Sequence, residues 1–168
     1  GISHIPVQRV EGEGTKIQVK VCGLMGGHSG AEIDKNRANA NKLMGRFLYG
    51  LKKKADYAVI SLAGGQKDNA ITRECITEFL TDAPEEVKAY AKELQEQIRE
   101  EYTGSDENIT IEVKENGVET AQVLHPTSQE KIVFYLQNVP FGIQKMSGTI
   151  KGLVESSSNI GILRLDED

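Results

Sequence analysis

Histidine is scarce in this 168-residue chain, and its three copies, His4, His28 and His125, are widely spaced. A zinc site needs three or four ligands, and neither His4 nor His125 has a clustering partner, so the chain alone is not expected to build one. Cysteine is scarcer still: Cys22 and Cys75 lie far apart with no CxxC spacing. Two buried thiols in a reducing cytoplasm fit that usage better than a disulfide framework. No apolar run approaches the roughly 20 residues of a membrane-spanning helix, which argues against helical insertion. Basic residues are not in excess: 20 Lys and Arg stand against 25 Asp and Glu, for a formal charge of -5. Apart from Lys52, Lys53 and Lys54 there is no basic run, so a phosphate backbone finds little to hold and nucleic acid is not an expected partner. Those lysines follow a predicted helix, where cations suit the negative end of its dipole. No cationic, apolar, small-residue leader opens the chain, and it begins at Gly1 rather than methionine, the expectation being a piece cut from a longer protein.

What is present is length enough for a core, with 38% apolar and 27% charged residues, the balance of one globular domain. Residues 2–10 read as a weak strand that Pro6 demotes to an edge or a broken strand, and EGEGT (residues 11–15) as a turn. Lys16 to Cys22 alternates, setting Ile17, Val19 and Val21 on one face. Ala40, Leu43, Met44, Phe47, Leu48 and Leu51 then recur at helical spacing. Their helix is expected to start near Asp34 to Asn36, or earlier if Ser29 and Glu32 form a capping box. Tyr57 to Ala63 and Ala70 to Leu80 are predicted strands joined as a hairpin by GGQKDN. Pro84 opens a helix to about Tyr102, with Val87, Ala91, Leu94 and Ile98 inward and Glu93, Glu96, Glu100 and Glu101 solvated. Gly104 stops it, and Asn108 to Val113 alternates as a fourth strand. The order β-α-β-β-α-β predicts an α+β fold, an antiparallel sheet with helices on one face. A third helix, with Thr127 and Glu130 in capping-box spacing, closes at Pro140 and Gly142, and two more short strands, Gly152 to Ser156 and Asn159 to Leu165, follow this core.

The densest signal is GLMGGHSGAEID, Gly23 to Asp34, which frames His28 and Ser29 with Gly23, Gly26, Gly27 and Gly30. Glycine at that density lets backbone approach another surface closely, at an entropic cost. The histidine there is open to two readings, a surface loop imidazole or a general base or donor toward developing negative charge. A nucleophile pair with Ser29 fails, because adjacent loop residues are poorly placed to hydrogen-bond and no GxSxG surrounds them. The stretch is neither a P-loop, since no GK[ST] follows, nor a dinucleotide fingerprint. Asn69 enters the third strand and on its own reads as a turn former. Arg73 is open between an anion contact and a solvated strand residue, and Asp34 with Arg37 is a weak i, i+3 pair.

These segments, followed by NRANANKLMGRFLYGL, GGQKDNAITREC, NVPFGI and GLVESSSNIGIL, resemble the lid and dimerisation domain of the aminoacyl-histidine dipeptidases. That group belongs to the co-catalytic zinc peptidases, with aminoacylase and carboxypeptidase G. The resemblance runs in register over essentially the whole chain; Thr72 departs from it, standing where relatives often carry proline. It implies that residues 1–168 are a lid inserted in a catalytic domain whose His-Asp, Asp, Glu-Glu and His segments hold two zinc ions, none of them bound by this fragment. It implies too that the family's substrate-binding arginine, with a final helix and strand, lies beyond Asp168. By the same correspondence His28 donates to the substrate carbonyl or its oxyanion, Asn69 binds the substrate's carboxylate end or backbone, and Gly26, Gly27 and Gly30 shape the loop. The expected whole is a cytoplasmic homodimer that hydrolyses Xaa-His and related dipeptides, the fragment itself being inactive. The rival is a non-enzymatic small-molecule-binding or assembly module with a ferredoxin-like fold, and a catalytically dead subunit would share the same sequence here.

Overall fold

The computed structural model describes residues 5–25, 27–28, 38–65, 70–138, 142–146, 154–158 and 163–165. In chain order the elements are β1 (Arg9–Cys22), β2 (Gly27–His28), α1 (Ala40–Leu51), β3 (Tyr57–Gly64), β4 (Ala70–Ile71), β5 (Cys75–Thr81), α2 (Pro84–Glu101), β6 (Thr110–Leu124), α3 (Pro126–Asn138), β7 (Gly142–Met146), β8 (Val154–Ser158) and β9 (Leu163–Arg164). The main sheet has five strands in the order β6-β1-β5-β3-β9, and every pairing in it is antiparallel. Its four long strands with α1 and α2 make the expected split β-α-β-β-α-β unit, an α+β fold.

Alternation decides which face is covered. Ile17, Val19 and Val21 are wholly buried, and they share one core cluster with Phe47 and Leu48 of α1, Val87 and Leu94 of α2 and Leu136 of α3. Burying side chains of this size contributes about 2 kcal/mol each before entropy is counted. Lys16 and Lys20 alternate with those residues, pairing with Glu78 and Glu74 at 3.4 Å each. The same alternation separates the thiols. Cys75 faces Val21 across the β1/β5 ladder and is buried, whereas Cys22 falls on the other face and is half-exposed. The expectation of two buried thiols therefore holds for Cys75 alone, and both are free.

Several boundaries differ from those expected. Of the expected weak strand, residues 5–8 are irregular, and Arg9 and Val10 run on through EGEGT, which does not turn, as the start of β1, paired with β6 from Arg9↔Leu124 onward; residues 2–4 lie outside the described residues. Gly12 and Gly14 do not turn the chain; they let it pass close to its neighbours, since a Cβ on Gly12 would stand 3.0 Å from Val123 Cγ2. The fourth strand accordingly runs to Leu124 rather than Val113, with Asn116 and Gly117 bulged opposite Lys16. The expected third strand is two pieces, β4 and β5, interrupted at Thr72. The third helix begins at Pro126, so Thr127 is already helical and its N–H donates to His125 Nδ1 at 3.1 Å. His125 therefore occupies the place that the capping-box reading gave Thr127. α1 begins at Ala40; the earlier starts near Asp34 to Asn36 or Ser29, and the Asp34 and Arg37 pair, lie outside the described residues.

The outer edge of β3 is covered group by group. Buried Gln129 of α3 accepts from the Val59 N–H at 2.7 Å and donates to the Tyr57 carbonyl at 2.9 Å. The Arg9 guanidinium donates to Ile60 O at 3.1 Å, and the Leu165 N–H to Leu62 O at 2.9 Å, beside the β9 pairing. An exposed edge is a template for unwanted pairing, and the Arg9 and Gln129 side chains with the Leu165 backbone blunt this one.

Candidate functional site

The candidate site lies where β1 hands over to the glycine-rich segment. Gly23 has φ +79°, and a Cβ there would collide with the Asn108 carbonyl oxygen, so both conformation and space demand glycine. Leu24 is buried, and Met25 is 53% exposed. The next described residues are Gly27 and His28, which pair antiparallel with Ile71 and Ala70 in a ladder of their own. His28 thus has its backbone in a two-residue strand rather than an open loop, opposite the residue that follows Asn69 in the sequence. The topology brings the histidine segment to the connection between β3 and β5. Gly26, Gly30 and Asn69 lie outside the described residues.

Two further junctions hold this region. The Ala40 N–H donates to Thr72 O at 2.9 Å and the Asn41 side-chain amide to Thr72 Oγ1 at 3.2 Å, so Thr72 leaves the ladder to meet the N-terminus of α1. This is why the expected third strand breaks there. Asn39 caps α1, its Oδ1 accepting from the N–H groups of Asn41 at 2.8 Å and Lys42 at 3.1 Å. Gly64 ends β3 against the same helix, for a Cβ on it would strike Asn41 Oδ1. Arg73, beside Thr72, is exposed.

Asp106 makes the other junction. It is fully buried, and its Oδ1 accepts from the Met25 N–H and its Oδ2 from the Ala38 N–H, each at 2.8 Å. One carboxylate therefore grips the chain on both sides of residues 26–37, through charge-assisted bonds to backbone. Sequence reading missed Asp106, because its partners are 81 and 68 residues away and leave no local signature. It missed Asn39 as well, although an Asn directly before an apolar periodic run is a usable N-cap signal.

The two thiols at the ends of β1 and β5 that flank this region are kept protonated. Burial pushes the Cys75 thiol up to about 12, and burial, reinforced by Glu112, raises Cys22. Neither is an activated nucleophile. Among the described residues no group of three or more His, Cys, Asp or Glu side chains is placed to hold a metal ion, so these residues do not fit a zinc centre. No helix among them is long and apolar enough to cross a membrane. What the arrangement supplies is the backbone of His28 on a short ladder against Ala70 and Ile71.

Cytosol non-specific dipeptidase of Escherichia coli (strain K12) is 29% identical over 167 residues, 98% of this chain and 34% of its own length. The crystal structure of aminoacylhistidine dipeptidase from Vibrio alginolyticus superposes with a TM-score of 0.85 at 30% identity, over 98% of this chain and 33% of that one. The chain thus spans about a third of the length of these relatives. Residues 19–106, more than half of the chain, match the family model described as peptidase dimerisation domain, and the chain belongs to that family.

Proposed function

We propose that this chain is the substrate-capping and dimerisation domain of a larger metal-dependent dipeptidase that hydrolyses Xaa-His and related dipeptides. The observation that carries the reading is the end-to-end likeness to one third of two dipeptidase chains, which leaves the larger share of such an enzyme for a catalytic domain. Both relatives are dipeptidases, which does not favour a free-standing binding module. In this reading two zinc ions are held by that other domain and supply the activated water of the hydrolysis. A homodimer is supported by the dimerisation-domain family, and a cytoplasmic setting by the name of the Escherichia coli relative.

In this reading His28 donates a hydrogen bond to the substrate carbonyl as negative charge develops on it. Such a donor does most when fixed in advance in a water-poor site, because it need not reorganise during the reaction. Its support here is the ladder that holds the His28 backbone to β4. Asn69 binds the carboxylate end of the substrate, and Gly26, Gly27 and Gly30 allow the backbone to approach it closely. In the full-length enzyme His28→Ala should lower kcat about 10²- to 10³-fold, the usual cost of one lost oxyanion donor, with metal content unchanged. Unaltered turnover would remove His28 from the reaction. Flanking coding sequence without His-Asp and Glu-Glu segments would end the reading as a whole.

A further inference from the structure

We propose that the outer face of α1 and α3 is where a second copy of this chain docks two-fold symmetrically, with Phe134 at the centre and Lys53 of each copy set against the partner's Glu130. The inference rests on the homodimer reading above and names its surface. Among the described residues the exposed aromatic side chains are Tyr49 of α1, 53% exposed, and Phe134 of α3, 68% exposed. Both line one cavity of about 370 Å³, with buried Leu124 and Val133 in its wall. Water around an exposed ring is unfavourable, and aromatic side chains beside an apolar pocket are the usual anchors of an association. The start of α1 is fixed to the end of α3 by Lys42 Nζ, which donates to Leu136 O at 2.9 Å and Gln137 O at 3.3 Å. The end of α1 therefore meets the start of α3, which brings Lys53 and Glu130 to the same cavity.

Charge makes this face complementary to itself. Lys53 and Glu130 are both exposed, and among the described residues neither forms an ion pair; Lys53 Nζ rests 5.3 Å from the centre of the Tyr49 ring. In a two-fold contact residue i meets j while j meets i, so a cation and an anion on either side of an apolar centre each find the opposite charge in the second copy. Three other surfaces are set against such a partner. The β3 edge is closed by Gln129, Arg9 and Leu165. The outer edge of β6 carries exposed Lys114, Glu115 and Glu119 around Gly117, whose φ is +84°, and charge with a bulge discourages edge pairing. The outward face of α2 bears Glu93, Glu96 and Glu100, and two copies meeting there would set like charges against each other.

The test uses the full-length enzyme and measures the dimer dissociation constant by sedimentation velocity over a dilution series. Phe134→Asp places a charge at the apolar centre and should raise that Kd about a hundredfold or more. Lys53→Glu and Glu130→Lys each set like charges against each other on both sides of the axis, and each should raise it about tenfold. Mixed in equal amounts, those two variants should regain a Kd within about threefold of wild type, because the heterodimer alone pairs opposite charges at both contacts. Phe134→Asp with the wild-type Kd would overturn the proposal, as would charge variants that dimerise no better together than apart. A wild-type enzyme that stays monomeric at every concentration would remove the homodimer reading itself, and that one protein distinguishes the two failures. Circular dichroism checks that Phe134→Asp folds; if it does not, the charge variants, both at exposed positions, decide alone.

Discussion

Replacing Gln129 by leucine tests how the edge of β3 is closed. The amide of Gln129 satisfies two backbone groups at once, the Val59 N–H at 2.7 Å and the Tyr57 carbonyl at 2.9 Å, from a side chain only 7% exposed. Leucine fills similar volume and leaves both groups buried without a partner, at about 1–3 kcal/mol each, offset by roughly 1 kcal/mol of extra apolar burial. The net loss should be about 1–5 kcal/mol, which for a chain of this size lowers Tm by about 2–20 °C. Gln129→Glu sharpens the test. Its neutral acid donates an O–H to Tyr57 O as the amide does, while its carboxylate sets two oxygens against each other in a buried place. Both effects raise the folded-state pKa of the new group, so its stability should approach wild type below about pH 4 and be lost as pH rises through that raised value. Urea unfolding of each variant across pH reads this directly. A Gln129→Leu protein within about 0.5 kcal/mol of wild type would refute the reasoning, since it would show that the edge does not depend on this side chain.

Other perturbations separate further contributions. Gly45→Ala should reverse the usual gain of about 1 kcal/mol for alanine in a helix, because its Cβ would stand 2.7 Å from Leu136 Cβ, and overpacking costs about 1–3 kcal/mol; a raised Tm would show that α3 can move aside. Asn39→Ala should cost about 1 kcal/mol or more in urea unfolding, since it removes the acceptor of the Asn41 and Lys42 N–H groups; a loss under about 0.3 kcal/mol would deny the cap. A thiol reagent should label half-exposed Cys22 first and Cys75 only on opening. Because burial holds the Cys75 thiol near 12, the stability it lends below the unfolded value of about 8.5–9 is lost as pH rises toward 12, and Cys75→Val should flatten that slope in alkaline urea titrations. Arg46 and Glu101 form two hydrogen bonds, at 2.9 and 2.6 Å, yet both are over a third exposed. A double-mutant cycle on them should return under about 1 kcal/mol, shrinking with salt.

How much of the fold was readable tracks the range of the forces that made it. Ile17, Val19 and Val21 alternate, and Val87, Ala91, Leu94 and Ile98 recur on one helical stripe, because a face must be buried within each element; both patterns met their core. The ends of β1 and β6 carry no such pattern. Residues 114–120 are mostly exposed on both faces, so neither period appears, and the pairing of Arg9 with Leu124 rests on backbone bonds between segments a hundred residues apart. Gly12 and Gly14 misled for a related reason. Glycine is equally the residue of a turn and of a close crossing, and only the neighbour, here Val123 or Thr81, distinguishes them.

The candidate site divides along the same line. Glycine density pointed to the segment around His28, since conformation limits residue choice locally, as Gly23 with its positive φ and its contact to Asn108 O illustrates. The β2/β4 ladder was not readable, because two residues have no periodicity to display. Thr72 looked like the middle of a strand by composition and proves to be the point where the chain leaves the ladder for α1, a choice made by the Ala40 N–H and the Asn41 amide rather than by threonine itself. Asp106 sits in GSDEN, a run whose composition says only that a helix has ended. The carboxylate that accepts from the Met25 and Ala38 N–H groups thus has no local signature in the sequence. A residue whose partners lie 68 and 81 positions away is chosen by those partners, and its importance can be read only once the chain is folded.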